Sequence, residues 1–402
     1  MKAATAAVPW YQPELPLDTE SPTALPSNTN AISEVLRTGA FFVIDFPQPE
    51  IRGRVSVVLP CHNRAAFLPD ALAAIQGQTF KEWELILVDD GSTDGTDELV
   101  RERTKGIRQR VEIVWQENAG AYAARAKGLL HAAGEFIAFY DSDDIWMSHH
   151  LLDCVAALQT HLEVDWVYGP DRAVDASTGQ VLVANRFVEG GEPKVFRRLE
   201  TRASAGLRII VDANLVTCAI EHGLYSGLQS SVIRRRIFEQ VRFRGDLRNG
   251  EDRFFAVRAA KAGCTFGYFD NIHVIYRVHS DHSSLANAKT DTESARIRLQ
   301  IIEGYEDLLA TESLDEAERR ALCRRLAKEY FWHLGYGVYW RAGEFDLAME
   351  AFRAGLHFDR TNPKMWKTFV LSHVRSLIAK LTGAGSNGPL STGLDSDPEN
   401  RE

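Results

Sequence analysis

Two aspartates separated by one residue, Asp141 and Asp143, follow directly on the apolar run 136–140. In an extended segment, residues two apart point to the same side, so this pair would present its two carboxylates together. Carboxylate oxygens are the ligands that Mg²⁺ and Mn²⁺ prefer. We therefore predict one divalent ion here, with Asp143 as a direct ligand and Asp141 as a ligand or a ribose contact. A solvated acidic turn is the alternative.

The surrounding elements are predicted from an alternation of short apolar runs with segments of helical spacing, which begins near Arg54. The predicted strands are residues 55–60, 85–90, 111–115 and 136–140, and the predicted helices are residues 67–76, 96–104 and 121–132. This alternation indicates an α/β domain with a mostly parallel sheet covered by helices on both faces. Such sheets bind their ligands at the carboxyl ends of the strands.

Four polar clusters stand at these strand ends in chain order. They are residues 60–64 (Pro-Cys-His-Asn-Arg), 89–96 (Asp-Asp-Gly-Ser-Thr-Asp-Gly-Thr), 118–120 (Asn-Ala-Gly, with Arg125 just beyond) and 141–144 (Asp-Ser-Asp-Asp). In order and spacing they resemble the family 2 glycosyltransferases, which have the Rossmann-like GT-A fold. The resemblance runs from about Arg54 to His279, and it implies a metal-dependent transferase that uses a nucleotide-sugar.

The resemblance assigns the nucleotide-sugar to all four clusters. The implied binding residues are Pro60, Asn63, Arg64, Asp89, Asp90, Asn118, Gly120, Arg125, Asp141 and Ser142. Asp89 and Asp90 would accept a hydrogen bond from the nucleotide base, and a carboxylate suits the N3–H donor of uracil. An Asp-Asp-Gly sequence is also an ordinary turn pattern.

Residues 250–255 (Gly-Glu-Asp-Arg-Phe-Phe) resemble the Glu-Asp motif of the same family, at the start of a helix. The resemblance implies a single displacement in which Asp252 deprotonates the acceptor hydroxyl and Glu251 assists the acceptor. Two acids that favour a helix N-terminus are the alternative. His279 is implied as a further metal ligand through its neutral imidazole, with a structural histidine as the alternative.

Acceptor recognition is expected from residues 165–240, although residues 171–223 fit the family poorly. Tyr168 and residues 225–231 are candidates for lining that site. Trp146 would either stack on a sugar or belong to the core. Residues 280–284 are predicted to form a lid over the donor.

Four arginines, Arg197, Arg198, Arg202 and Arg208, form a basic run. This run would meet a phosphorylated lipid carrier or form a solvated helix face. Near the C-terminus, residues 369–381 have amphipathic spacing and neighbouring lysines, which is typical of interfacial helices. Peripheral contact with the inner face of a membrane is therefore one prediction, and packing against the same domain is the other.

Composition limits the classes of protein that are compatible with this chain. The chain has 402 residues and a formal net charge of −9, which argues against broad nucleic-acid binding. Its five cysteines include no C-x-x-C pair, so we expect reduced thiols rather than a disulfide framework or a zinc knuckle. We recognise no signal peptide and no apolar run of about 20 residues, so we predict a cytoplasmic protein.

Four segments are predicted along the chain. They are an arm at 1–50, a GT-A domain at 51–285, an all-helical domain at 286–383 and a disordered acidic tail at 384–402. Within the helical domain, aromatic and small residues from Trp332 to Leu356 follow the spacing of one tetratricopeptide-like hairpin.

The sequence thus predicts an inverting hexosyl- or N-acetylhexosaminyl-transferase. Its donor would be a UDP-sugar, its acceptor a hydroxyl of a glycan or lipid-linked molecule, and its setting polysaccharide assembly. Two other classes stay open. A sugar nucleotidyltransferase would need a Gly-rich, Lys-bearing loop after the first strand, which residues 60–64 do not provide. A non-catalytic scaffold protein would not need the acids Asp143 and Asp252.

Overall fold

The computed structural model describes residues 44–225, 227–247, 249–279 and 290–382, with side chains to residue 375. Most of the predicted arm, the predicted lid at 280–284 and the predicted acidic tail lie outside these residues.

The four parallel strands predicted from the apolar runs form one half of the central sheet. The elements are β1 (Ile51–Cys61), α1 (Leu68–Gln76), β2 (Trp83–Asp89), α2 (Thr96–Arg103), β3 (Val111–Trp115), α3 (Ala121–Leu129) and β4 (Gly134–Phe139). The strands lie side by side in the order β4-β1-β2-β3, and all three pairings are parallel. The predicted α/β class is confirmed in this half.

The second half of the chain extends the sheet with strands of both directions. Its elements are β5 (Ile145–Trp146), α4 (His150–Thr160), β6 (Trp166–Tyr168), β7 (Asp171–Asp175), β8 (Val181–Val183), β9 (Val188–Glu189), β10 (Glu192–Pro193), β11 (Thr201–Ser204), β12 (Leu207–Ile210), α5 (Leu215–Glu221), β13 (Ser231–Arg234), α6 (Arg235–Gln240), α7 (Glu251–Lys261), β14 (Phe266–Phe269) and β15 (Val274–Val278). The nine-stranded sheet has the order β11-β12-β14-β6-β13-β4-β1-β2-β3. Because β13 runs antiparallel to both β4 and β6, the sheet is mixed beyond β4.

A second, four-stranded sheet lies next to the acidic cluster that follows β4. Its order is β5-β15-β7-β8, with β15 antiparallel to β5 and parallel to β7. Since β5 begins directly after residues 141–144, this sheet brings the end of β15 close to the acids.

Buried side chains cover both faces of the central sheet. Alternate residues of β1 point to opposite faces: Leu59 belongs to the apolar layer that includes α1, and Val58 to the layer that includes α3. Helix α3 lies close to the strands because residue 128 is glycine. A Cβ there would lie 2.4 Å from Val58 Cγ1.

Helices make up the C-terminal part. They are α8 (Asp291–Thr311), α9 (Glu316–Lys328), a π-helix (Glu329–Trp340), α10 (Phe345–Phe358) and α11 (Pro363–Thr382). The predicted hairpin is present: the π-helix packs on α10, with the rings of Phe331 and Phe352 stacked 4.4 Å apart. Its identity as a repeat stays a prediction. Among the described residues, every helix is too short or too polar to cross a bilayer.

The first C-terminal helices share a core with the sheet domain. Tyr305 and Leu308 of α8 and Leu322 of α9 are buried in the same apolar cluster as Phe254 of α7. The hairpin has a separate apolar cluster around Phe352. The predicted boundary at residue 285 therefore does not separate two cores.

Candidate active site

The parallel register brings the four polar clusters to one edge of the sheet. Cys61 at the end of β1 lies opposite Asp89 at the end of β2, which in turn lies opposite Trp115 at the end of β3. Val58 of β1 lies opposite Phe139, the last residue of β4. The strand ends are therefore aligned, and the loops that follow them carry the predicted site residues.

The first two clusters are joined through Asn63, which has a left-handed backbone conformation (φ 52°). Its N–H donates to Ser92 Oγ at 3.0 Å, and its Oδ1 accepts from the N–H of Thr93 at 2.8 Å. Asn63 is exposed, and its Nδ2 lies 3.3 Å from His62 Nε2. Pro60, by contrast, is buried within β1, which places its ring in the sheet rather than on the site surface.

The carboxylate of Asp90 is occupied by the third cluster. It accepts hydrogen bonds from Gln116 Nε2 at 2.7 Å and from the backbone N–H groups of Ala119 and Gly120, each at 2.8 Å. The Asn118 side chain donates to the backbone oxygen of Asp90 at 3.1 Å. Both oxygens of the Asp90 carboxylate are used in these contacts, so its role is to hold this turn. The prediction that it contacts the nucleotide base does not fit these contacts.

Asp89 keeps more free acceptor capacity than Asp90. Its Oδ1 accepts one hydrogen bond, from the N–H of Ser92 at 2.9 Å. Asp89 thus remains the stronger candidate for the base contact, although little of its surface is exposed.

Asp143 and His279 lie together, as the resemblance implied. Asp143 Oδ2 is 3.2 Å from His279 Nε2 and 3.9 Å from the guanidinium of Arg64. The imidazole of His279 packs on the ring of Phe67, with ring centroids 4.6 Å apart. Asp141, on the other side of the buried Ser142, forms an ion pair with Arg125.

Asp144 shows how strongly negative charge accumulates here. It is almost fully buried, and its Oδ2 has no hydrogen-bond partner among the described residues. Burial, followed by the charges of Asp143 and Asp141, raises the pKa of Asp144 well above its ordinary value. Asp143 and His279 bring a carboxylate and an imidazole together beside this buried acid, and these are ligand types that a divalent cation accepts.

Arg277 was missed by sequence reasoning and contacts the acidic cluster from β15. Its Nε donates to the backbone oxygen of Asp143 at 2.5 Å, and its Nη1 donates to Asp70 Oδ2 at 2.8 Å. Its guanidinium lies over the ring of Phe67 at 5.3 Å. In the sequence, its position two residues before His279 was the one indication that Arg277 lies near the acids.

Helix α3 connects the acids that follow β4 to Asp252. Arg125, which pairs with Asp141, lies over the ring of Tyr122 at 4.8 Å. The Tyr122 hydroxyl donates to Asp252 Oδ1 at 3.3 Å. Burial, together with the charge of Asp252, raises the pKa of Tyr122 and keeps it a hydroxyl donor. Sequence reasoning also missed Tyr122. It lies three residues before Arg125 on α3, and this i,i+3 spacing indicates that both side chains lie on the same face of the helix.

Glu251 does not face the site. It is fully buried, its Oε1 accepts from the N–H of Arg244 at 2.8 Å, and Arg258 lies 3.3 Å away. Burial raises the pKa of Glu251 to about 8, against the opposing charges of Arg258 and Arg244. The prediction that Glu251 contacts the acceptor is contradicted by this burial. The residue instead fixes the start of α7, which carries Asp252.

Two aromatic candidates for the acceptor site are core residues. Trp146 is 3% exposed, and its indole N–H donates to the backbone oxygen of Gln229 at 2.7 Å. Tyr168 is fully buried in β6. Of the two roles predicted for Trp146, the structure shows the core position and not stacking on a sugar. In this conformation Tyr168 is also excluded from the acceptor surface.

The predicted basic run is largely neutralised and does not form a helix face. Arg197 and Arg208 both bind Asp270, and Arg202 binds Glu163. These arginines lie on a 3₁₀ turn and on the β11–β12 hairpin. Their charge is therefore used within the fold.

Comparison with known proteins gives one family match. Residues 56–208 match the sequence model of Glycosyl transferase family 2, which reaches into the segment 171–223 that had been expected to fit poorly. The putative teichuronic acid biosynthesis glycosyltransferase TuaG of Bacillus subtilis (strain 168) is 41% identical over 98 residues, 24% of this chain. The chain spans only 38% of the length of that relative.

Solved structures show the fold. The S. aureus TarS 1–349 structure in complex with UDP-GlcNAc has a TM-score of 0.56 at 16% identity, covering 85% of this chain and 95% of that one. The mannosyltransferase PcManGT from Pyrobaculum calidifontis, in complex with GDP-Man and Mn²⁺, has a TM-score of 0.50 at 17% identity, covering 88% and 94%. The chain has the GT-A fold with a helical C-terminal part.

Replacing the carboxylate that holds the third cluster should destabilise the protein. Asp90→Ala leaves the Gln116 amide and two backbone N–H groups without an acceptor, so the free energy of unfolding should fall by roughly 3–5 kcal/mol. Urea unfolding measures this loss. Asp97→Ala is the matched control, because Asp97 is an exposed acid paired with Arg101, and it should change stability little. Equal stability of the two variants would contradict the assigned role of Asp90.

Burial of Glu251 predicts a pH-dependent difference between the parent and Glu251→Gln. The pKa of Glu251 is about 8 in the folded chain and 4.5 ordinarily, so between these values the folded state holds a proton that the unfolded state has released. The contribution of Glu251 to the free energy of unfolding is full below about pH 4.5. It falls by about 1.4 kcal/mol per pH unit as the pH rises towards 8.

Urea unfolding of both proteins at pH 5, 6.5 and 8 measures the effect. The stability of the parent relative to Glu251→Gln should decline across this series, since glutamine does not titrate. Parallel pH profiles for the two proteins would show that Glu251 is ionised in the folded chain.

Proposed function

We propose that this GT-A protein, whose residues 56–208 match the sequence model of Glycosyl transferase family 2, transfers one sugar, with inversion, from a nucleotide-sugar to an acceptor hydroxyl. The proposed donor is a UDP-linked hexose or N-acetylhexosamine. The proposed acceptor is a glycan or lipid-linked molecule in polysaccharide assembly.

One observation carries the proposal: a single turn of α3 joins the acids of the donor side to Asp252. Arg125 pairs with Asp141, and Tyr122 donates to Asp252 Oδ1 at 3.3 Å. A transferase needs a donor site and a general base at adjacent positions, because the acceptor oxygen must reach the anomeric carbon. A protein that only bound nucleotide would not need this link.

Asp252 is the proposed general base. Its carboxylate takes the proton of the acceptor hydroxyl while the acceptor oxygen forms a bond to the anomeric carbon. The bond from that carbon to the diphosphate oxygen breaks, and its electron pair leaves with the nucleoside diphosphate. Because attack comes from the face opposite the leaving group, the configuration inverts. Tyr122 orients the carboxylate through its hydrogen bond.

A divalent ion, Mg²⁺ or Mn²⁺, is proposed at Asp143, Asp141 and His279. When bound, it would act as a Lewis acid that neutralises the charge of the departing diphosphate. The chain supplies two carboxylates and an imidazole, beside the buried and poorly compensated Asp144. The Mn²⁺ in the PcManGT complex supports a divalent ion in this fold.

The donor and the biological setting rest on the similar proteins. The UDP-GlcNAc complex of TarS supports a UDP-sugar. The residues proposed to surround the nucleotide are Asn63, Arg64, Asp89, Asn118 and Gly120. The similarity to TuaG supports polysaccharide assembly.

Peripheral membrane contact through α11 remains a proposal. Trp366, Val370, Leu371 and Val374 of this helix are exposed, and Lys364 and Lys367 lie on the same segment. An exposed apolar stripe with basic neighbours is compatible with an interfacial helix.

A donor screen tests the proposal. Purified protein with Mn²⁺ or Mg²⁺ would be incubated with UDP-, GDP- and dTDP-sugars, and released nucleoside diphosphate measured, since slow hydrolysis reports the donor without the acceptor. Metal-dependent release from one donor is expected. Asp252→Asn should lower turnover by 10²–10⁴-fold, the usual contribution of a general base, yet keep the rise in melting temperature caused by UDP and Mn²⁺.

Asp143→Asn should lose both turnover and that rise, because it removes a proposed metal ligand. Glu98→Gln, at an exposed acid of α2, is the matched control and should behave as the parent. Full turnover in Asp252→Asn would contradict its role as the base. If no donor is turned over and UDP with Mn²⁺ leaves the melting temperature unchanged, the protein would be a non-catalytic scaffold with this fold.

A further inference from the structure

A second group of metal-ligating side chains lies on α4 and at the start of β15, apart from the donor acids. The first turn of α4 carries two i,i+4 pairs, His149 with Asp153 and His150 with Cys154. His273, just before β15, lies between the two pairs. All five residues are outside the proposed catalytic machinery.

His273 is held firmly, with one ring nitrogen towards each pair. Its backbone N–H donates to Pro170 O, and its backbone oxygen accepts from Met147 N–H, both at 2.9 Å. Its Nδ1 is 3.1 Å from His150 Nδ1, and its Nε2 is 3.9 Å from Asp153 Oδ2. Glycine at 169 makes room for the ring, because a Cβ there would lie 2.4 Å from His273 Cγ.

Two ring nitrogens of this cluster are buried without a hydrogen-bond partner among the described residues, His150 Nε2 and His273 Nε2. The His273 side chain is fully buried. Buried polar atoms in native proteins are almost always satisfied, and an exception calls for a water, an ion or a functional role. The Nε2 atom of His273 lies 3.9 Å from Asp153 Oδ2, and both Asp153 and His149 are partly exposed.

We propose that His149, Asp153 and His273 bind one divalent transition-metal ion of the Zn²⁺ class. One ligand atom from each residue lies within 4.8 Å of the others. Tetrahedral coordination by nitrogen and oxygen places neighbouring ligand atoms roughly 3.3 Å apart. The side chains of His149 and Asp153 are partly exposed and can rotate to close this difference. His149 would give up its contact with the backbone oxygen of Ile272, at 3.2 Å.

The environment of His273 suits a ligand. A metal-bound histidine usually donates its second ring N–H to a neighbour, which fixes its tautomer. His273 Nδ1–H can donate to His150 Nδ1, which leaves the Nε2 lone pair directed to Asp153.

The inner pair, His150 and Cys154, is the less favourable ligand set. Both residues are fully buried, so an ion there has no open path and no water as a fourth ligand. An ion on the outer side would fix the start of β15, the strand that leads to Arg277 and His279.

Co²⁺ titration followed by absorption spectroscopy and calorimetry tests the site. The full chain is used without an affinity tag and in an Asp143→Asn background, so that the donor acids do not contribute a site. One equivalent of Co²⁺ should bind, Zn²⁺ should displace it, and no thiolate-to-cobalt charge-transfer band should develop. Asp153→Asn and His149→Gln, each added to that background, should weaken binding at least tenfold.

Two controls accompany these variants. Cys154→Ser should bind Co²⁺ as the background protein does, and so should His131→Gln, since His131 pairs with Glu112 elsewhere. Thermal unfolding confirms that each variant is folded, and both outer ligands are partly exposed positions. Binding that survives Asp153→Asn but is lost in Cys154→Ser, or a thiolate charge-transfer band, would overturn the assignment in favour of the inner pair. Absence of any binding in the background protein would overturn the site altogether.

Discussion

Repulsion among carboxylates at one edge of the sheet is the constraint on which the site depends. Parallel strands place Asp89, Asp90, Asp141, Asp143 and Asp144 at neighbouring strand ends, where like charges in a partly desolvated region destabilise one another. Each is compensated differently. Backbone N–H groups hold Asp90, Arg125 holds Asp141, and Arg277 reaches the backbone of the last cluster. A divalent cation beside Asp143 would add positive charge at this edge and would favour the ionised form of the buried Asp144.

The second half of the chain supplies side chains that contact these acids. Arg277 and His279, at the end of β15, contact the acidic cluster. Helix α3 contributes Tyr122, which contacts Asp252 on α7. Helix α7 must itself be fixed, and buried ion pairs attach it to α8. Arg258 of α7 contacts Asp307 of α8, while Arg244, just before α7, reaches Glu303 of α8. We infer that the C-terminal helices support the proposed base as well as the fold.

Much of this arrangement could be predicted from sequence because it depends on local patterns. Uninterrupted apolar runs indicate buried parallel strands, and parallel strands bring their carboxyl ends together. The pairing of Asp143 with His279 across 136 residues followed from family resemblance. The predictions failed where a long-range contact determines the position of a side chain. Sequence cannot tell which of two neighbouring acids in a first helical turn faces the core, so Glu251 was placed in the site. Asp270 neutralises Arg197 and Arg208 from a distant turn that no local pattern reveals.

The central claim is that the acidic edge binds a nucleoside diphosphate only with a divalent cation. Calorimetric titration of the parent and of Asp143→Asn with UDP, in Mn²⁺ and in excess chelator, measures this most directly. The account predicts that Mn²⁺ strengthens UDP binding to the parent at least tenfold and has little effect on Asp143→Asn. Equal affinity of the parent in Mn²⁺ and in chelator would contradict it.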